Sequence, residues 1–259
     1  MQEELKKTTP LVELKGISHR YQTEAGEVEA VRDVSFTVEQ GEFVSLVGPS
    51  GCGKSTLLSI LAGLISPSGG TATVGGDPVK RGNGSVGYMF QHDHLFEWRT
   101  IEQNVLLGPE LRGKVGEEER ARARRLLETY GLGEFRRATP RSLSGGMRQR
   151  AALIRTLVPS PSLLLLDEAF SALDYQTRLT VSEDIRDILR REGATALLVT
   201  HDISEAVALS DRVIVLSARP AVVRAIHEIG PKELTPAQRR DSAEFHEWFN
   251  LIWKELELI

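Results

Sequence analysis

Residues 48–55 read Gly48-Pro49-Ser50-Gly51-Cys52-Gly53-Lys54-Ser55. They fit the pattern G-x-x-x-x-G-K-[ST] in full. Just before them, Glu42 to Val47 is an apolar, β-branched run that reads as a buried strand. Just after, Lys54 to Leu64 reads as a helix that stops ahead of the turn cluster Ser66-Pro67-Ser68-Gly69-Gly70. A glycine turn between strand and helix lets successive N–H groups point inward at phosphate oxygens, and the helix N-terminus adds its positive dipole end. Lys54 is expected to reach the β- and γ-phosphates of a nucleotide, the Ser55 hydroxyl to ligate Mg²⁺ and the Thr56 N–H to contact the α-phosphate. The competing reading, a plain glycine turn, explains neither the spacing nor the flanking elements. Cys52 reads as a small filler residue, with redox control as the sharper alternative. Under either reading, alkylation there should block nucleotide binding.

Working outward, short apolar runs alternate with longer amphipathic ones, the mark of an α/β chain. Leu11 to Ile17 and Val28 to Val38 read as strands with a turn near Gly26, and Thr71 to Val74 and Ser85 to Phe90 as shorter strands. From about Phe96 to Val158 the character is helical. Within it, Glu117 to Tyr130 is closed by Gly131 as a cap. Its Arg120, Arg122, Arg124 and Arg125 read as a solvated helix face, with a membrane-surface or acidic-partner contact as the minority reading. Strand character returns at Ser162 to Leu166, Thr195 to Val199, Val213 to Leu216 and Val222 to His227. Helices fall at Gln176 to Arg191 and Ile203 to Leu209. At the end, Thr235, Pro236 and Gln238 spell an N-cap, a first helical position and a capping box. They predict one helix with Phe245, Trp248, Phe249, Ile252, Leu256 and Ile259 on one face, packed on its own domain or, alternatively, used as a dimer or regulatory contact.

The chain has 259 residues, enough for one large domain or a domain with a sub-lobe. With 32 Lys+Arg against 36 Asp+Glu the net charge is −4, which weighs against a nucleic-acid partner held by a global positive field. Uninterrupted apolar runs are no longer than Leu163 to Leu166, far below the ~20 residues of a spanning helix. Met1 to Pro10 carries no apolar signal region. The single cysteine, Cys52, has no internal disulfide partner. Composition thus points to a soluble, intracellular globular chain and leaves the chemistry to the motifs.

Leu163-Leu164-Leu165-Leu166-Asp167-Glu168 is an apolar strand ending in two acids. A carboxylate at a strand's end can hold a Mg²⁺ hydration shell, the role expected of Asp167. Glu168 points elsewhere because strand side chains alternate, and can polarise water for attack on a γ-phosphate. No Asn-Lys-x-Asp base-reading run of the kind GTPases carry occurs.

Leu143-Ser144-Gly145-Gly146-Met147-Arg148-Gln149-Arg150 supplies a second glycine turn feeding a helix. Ser144 is a hydroxyl donor there, and Gly145 and Gly146 would allow close approach to phosphate. With the loop at 48–55 and the Asp167-Glu168 strand, this octet resembles the signature of ATP-binding cassette (ABC) ATPases, with Met147 where Gln is usual. The resemblance covers about Leu11 to Leu216. It implies a P-loop NTPase of ABC type, α/β, with a RecA-like core, an antiparallel β subdomain and an inserted α-helical subdomain. Residues 1–91 and 159–230 would form the core with the β subdomain, 92–158 the helical subdomain, and 231–259 a C-terminal helix.

The same resemblance implies site roles. Tyr21 is placed like the aromatic that stacks on adenine; an edge-strand core aromatic is the plainer reading. Gln91 looks like the glutamine that ligands Mg²⁺ and senses the permease. Ser171-Ala172-Leu173-Asp174 resembles the loop that crosses a dimer interface, and His201 the switch histidine on the γ-phosphate. His92 and His94 read as loop residues rather than metal ligands. Together these imply ATP and Mg²⁺ as cofactors. ATP would be sandwiched between residues 48–56 of one protomer and 144–146 of a second ATPase subunit, in a homodimer. Catalysis would rest on Glu168, His201 and Lys54.

Phe90-Gln91 through Leu95-Phe96-Glu97-Trp98-Arg99-Thr100-Ile101, with Asn104-Val105, is similar to the nitrate/sulfonate/taurine importer subfamily, with Glu97 where Pro is common. Ser217-Ala218-Arg219-Pro220 also resembles that subfamily. The resemblance implies two integral membrane permease subunits, indirectly a solute-binding protein, and a peripheral position on the cytoplasmic face of the inner membrane. Trp98 would belong to a groove that receives a permease helix, or else staple its loop to the helical lobe. An exporter ATPase, a non-transport ABC ATPase and a nucleotide sensor without turnover are the rival readings.

Overall fold

The computed structural model describes residues 9–24, 26–82, 84–113, 115–231 and 233–257. Along the chain run β1 (Val12–Thr23), β2 (Gly26–Val38), β3 (Phe43–Val47), α1 (Lys54–Leu61), β4 (Gly69–Val74), β5 (Asp77–Pro78) and β6 (Val86–Met89). Helices α2 (Ile101–Val105), α3 (Leu107–Leu111) and α4 (Glu117–Thr129) follow, then a 3₁₀ turn at Pro140–Ser142 and α5 (Gly145–Leu157). The second half adds β7 (Leu163–Asp167), α6 (Tyr175–Arg191), β8 (Thr195–Val199), α7 (Ile203–Leu209), β9 (Arg212–Leu216), β10 (Val223–Glu228), α8 (Pro236–Arg240) and α9 (Ala243–Glu257).

Two sheets organise the chain. One is four-stranded and antiparallel, in the order β2-β1-β4-β5. The other has the order β10-β9-β3-β8-β7-β6 and is parallel except where β10 pairs with β9. A parallel sheet covered on both faces needs apolar side chains on both, which is why β3, β7 and β8 are near-continuous apolar runs. Alternation then divides them. Leu164, Leu166 and Leu198 pack with α4, α5 and α6, whereas Leu163, Leu165, Leu197 and Val199 pack with α1 and the antiparallel sheet. The carboxyl ends of β3, β7 and β8 lie side by side and deliver the segments beginning at Gly48, Glu168 and Thr200 to one edge, where ligands of open α/β sheets gather.

The C-terminal segment differs from the sequence expectation. Thr235 caps α8 through a capping box with Gln238, but the helix ends at Arg240 and does not run on. Arg239 is buried and donates to the carbonyls of Val207, Ser210 and Pro231, which pins α8 beside α7. The chain turns at Asp241 and Ser242, and the Ser242 hydroxyl accepts the Phe245 N–H to start α9 afresh. Helix α9 packs on its own chain: Phe245 and Ile252 are buried in a cluster with Val47, α7 and β9, and Trp248, Phe249 and Leu256 lean on it. Ile259 lies outside the described residues.

Candidate functional site

A cleft of about 440 Å³ opens over the 48–56 loop, with Tyr21, Ser50, Gly53, Lys54, Thr56 and Glu168 on its walls. Two glycines set the loop's path. A Cβ on Gly48 would lie 3.1 Å from the Leu216 carbonyl oxygen, and one on Gly53 would lie 2.6 Å from the Ala30 carbonyl oxygen. Gly53 also has φ +131°, outside what L side chains adopt readily. Lys54 is only 6% exposed, and its Nζ donates to the carbonyls of Gly48 (2.7 Å) and Pro49 (2.9 Å). Cys52 is buried beneath the loop with Sγ 3.9 Å from Lys54 Nζ, which fits the filler reading. Tyr21 is 40% exposed on the cleft wall and not in the core. Its hydroxyl lies 3.2 Å from Thr56 Oγ1.

The two acids separate, but not by strand alternation: Asp167 closes β7, and Glu168 lies just beyond it on a backbone of its own conformation. Asp167 accepts hydrogen bonds from the Tyr88 hydroxyl on one oxygen (2.8 Å) and the Ser55 hydroxyl on the other (3.4 Å). Burial, reinforced by the Asp167 charge, pushes the Tyr88 hydroxyl's pKa well above its ordinary value, so Tyr88 stays a donor. Glu168 sits in the left-handed region at φ +47°. That conformation is held by its N–H donating to the Val199 carbonyl (2.9 Å) and by its own carbonyl accepting from the Ser171 N–H and hydroxyl. Strain of this kind persists only where the surroundings over-determine it. It turns the Glu168 carboxylate toward His201, 3.4 Å from Nδ1.

A Ser55 hydroxyl facing an Asp167 carboxylate is the hard-oxygen donor pair that suits Mg²⁺, which keeps most of its shell for phosphate and water. Among the described residues, no group of three or more His, Cys, Asp or Glu could form an all-protein cage. Gln91 is exposed, and its backbone carbonyl accepts from the side-chain amide of Gln149 of α5 (3.4 Å).

Ser144, Gly145, Gly146 and Asp174 do not line this cleft. Ser144 caps α5 by accepting the Met147 N–H, and Asp174 caps α6 by accepting the Thr177 N–H. The glycines have an intrachain reason as well: a Cβ on Gly146 would come within 2.8 Å of Val181 Cγ2, so α5 needs glycine there to pack on α6. Packing against α6 is thus a second demand on Gly146, beside the approach to phosphate that the resemblance implies.

Tyr88 and Arg178, both near the site, carry no local sequence signal. In the sequence Tyr88 is one residue of the strand expected over Ser85 to Phe90. Arg178 donates to the Leu173 carbonyl (3.1 Å) and pairs with Asp202 (3.5 Å), the N-cap of α7, so it joins the 171–174 turn to the segment carrying His201. One turn on, Glu205 is buried, and that burial pushes its carboxyl up to about 7. On the helical lobe, Trp98 is 77% exposed and touches the Phe96 ring at 4.8 Å. Its loop is held from behind by buried Asn104, which bonds the Phe96 N–H and the carbonyls of Phe96 and Thr100. The staple reading of Trp98 therefore fails: Asn104, not the indole, fastens the loop.

A family model described as ABC transporter matches residues 31–171. The chain belongs to the ABC transporter family. As such it is a transport ATPase that binds ATP. Among relatives of this ABC ATPase, an uncharacterized ABC transporter ATP-binding protein of Bacillus subtilis, YtlC, is 48% identical over 93% of each chain. The nitrate import ATP-binding protein NrtD of Synechocystis is 43% identical over 82% of this chain and 80% of its own. The solved dimer of the ATP-binding cassette MJ0796, in a post-hydrolysis state bound to ADP and Pi, is 30% identical. It superposes with a TM-score of 0.71 over 85% of this chain and 99% of that one. No helix of the described residues is long and apolar enough to cross a membrane.

Proposed function

We propose that this ABC ATPase is the ATP-hydrolysing subunit of an importer for a small solute of the nitrate, sulfonate or taurine kind. The observation that carries the hydrolytic part is the meeting of Glu168 and His201 at the mouth of the Lys54 cleft. Lys54 leaves the Gly48 and Pro49 carbonyls for the β- and γ-phosphates, Tyr21 stacks on adenine, and the N-terminal turn of α1 takes the α-phosphate. Ser55 and Asp167, with Gln91, would hold Mg²⁺, which when bound would neutralise charge on the phosphate oxygens. Glu168 takes a proton from the attacking water. The new P–O bond forms at the γ-phosphorus while the bond to the β–γ bridging oxygen breaks, and ADP leaves with the electron pair. Lys54 and His201 balance the charge that develops on the γ-phosphoryl group. Ser144, Gly145 and Gly146 of a second copy, with its 171–174 turn, close the other side of the nucleotide. Nucleotide binding thereby favours the closed dimer and shifts the population of the attached permease.

The importer part is supported by Trp98 and by kinship with a nitrate import protein. An indole left 77% exposed on a firmly held loop is costly surface to keep wet, and it suits a groove that takes one helix from one of two permease chains at the cytoplasmic face. A solute-binding protein would then meet the permease on its far side. The test is affinity isolation from native membranes. The wild-type chain should bring permease subunits with it, while Trp98→Ala should lower their recovery about tenfold and leave ATP affinity within twofold. Recovery of no membrane protein, or undiminished recovery with Trp98→Ala, would contradict the proposal.

A further inference from the structure

The loop between β9 and β10 reaches the phosphate loop, and Arg219 is its point of contact. The guanidinium donates twice to the Gly51 carbonyl, from Nε (3.1 Å) and Nη2 (2.8 Å), and lines the cleft alongside Lys54. The loop that carries it is firmly built. Buried Ser217 donates its N–H to the Val222 carbonyl and accepts the Val222 N–H on Oγ. Its hydroxyl also meets the carbonyls of Ala218 and Pro220. Ala221 exchanges backbone hydrogen bonds with β2, donating to Ala30 and accepting from Arg32. Its methyl group also backs Gly53, where an added Cβ would approach it to 3.2 Å.

The Gly51–Cys52 peptide is thus held at both ends. Arg219 takes its carbonyl, and the Cys52 N–H donates to the Pro49 carbonyl (3.2 Å). Gly51, at φ +71°, has no Cβ to resist rotation of that peptide, so Arg219 adds an outside hold to the single turn bond within the loop. Three carbonyls of the loop, those of Gly48, Pro49 and Gly51, are held by two cations, and only Lys54 belongs to the loop itself.

We propose that Arg219 is a positioning residue of the phosphate loop: it fixes the Gly51–Cys52 peptide and thereby sets nucleotide affinity, without a part in the bond-breaking step. This rests on the reading of residues 48–56 as the nucleotide cradle. In the full chain, Arg219→Ala should raise the Kd for ATP and for ADP, and the KM for ATP, about tenfold, the scale of one charge-assisted hydrogen bond. Its kcat should stay within threefold, because Glu168 and His201 are untouched. Arg219→Lys, which still donates to a carbonyl, should recover most of the affinity. Cys52, the chain's one cysteine, reports on the loop directly: its alkylation by iodoacetamide without nucleotide should be several-fold faster in Arg219→Ala, with the Tm of the nucleotide-free protein unchanged.

Unchanged nucleotide affinity together with unchanged Cys52 alkylation would overturn the proposal. So would a fall in kcat at wild-type affinity, or a loss of affinity explained by a lowered Tm. Lys54→Ala separates this inference from the reading beneath it. If Lys54→Ala binds ATP normally, the cradle itself is misassigned; if it abolishes binding while Arg219→Ala has no effect, only the role of Arg219 falls.

Discussion

Glu168→Gln is expected to lower steady-state phosphate release at least about a hundredfold while ATP affinity stays within about threefold of wild type. A positioned general base is worth roughly 10²–10⁴ in rate, and an amide of the same shape cannot take the proton. The substitution is close to silent elsewhere. Gln tolerates the left-handed backbone at φ +47° as well as Glu does, and the anchors to Val199 and Ser171 are backbone or Ser171 groups. His201 loses its anionic partner at 3.4 Å, so part of the deficit passes through the switch histidine. Phosphate release and equilibrium ATP binding, measured on the same preparation, check the split. Turnover at the wild-type rate would remove Glu168 from the mechanism.

Gly53→Ala should be the most damaging small change in the phosphate loop. The new methyl meets the Ala30 carbonyl oxygen at 2.6 Å, with the Val31 and Ala221 side chains at 3.2 Å, on a backbone at φ +131°. None of these neighbours can yield cheaply: Ala30 and Val31 are in β2, and Ala221 is bonded to it. Steric crowding and the backbone penalty together cost about 3 kcal/mol of stability, read from urea unfolding. Because the strain falls at the start of α1, ATP affinity should drop by more than about a hundredfold even where the protein remains folded. Near-normal ATP binding by a folded Gly53→Ala protein would show that the loop does not need its observed path.

What could be read in the sequence was whatever physics is local. Strand, glycine turn and helix are contiguous at 43–61, so the phosphate loop announces itself, as do the acids Asp167 and Glu168 closing an apolar run and the Thr235 cap. The details that tune the site come from residues far apart in the chain. Tyr88 reaches Asp167 only because β6 and β7 pair, and Arg219 reaches Gly51 only because β9 lies beside β3. Arg178 meets Asp202 across α6 and α7 in the same way. No periodicity or spacing encodes such contacts. The break between α8 and α9 is hidden from the sequence for a related reason. The capping box marks where a helix begins, whereas its end was set by the anchorage of Arg239 beside α7 and by a second cap at Ser242.

The central claim is that each nucleotide is completed by residues 144–146 of a second copy. ATP-dependent dimerisation of Glu168→Gln, with and without Ser144→Arg, tests it most directly by sedimentation. Ser144 is exposed and far from being a cleft residue of its own chain, so an arginine there fits the monomer at the loss of one helix cap, about 1 kcal/mol. Glu168→Gln should sediment as a dimer with ATP. The double variant should remain a monomer and still bind ATP, without the gain in affinity that dimer closure lends. A double variant that still dimerises with ATP, or one that no longer binds ATP as a monomer, would contradict the shared site.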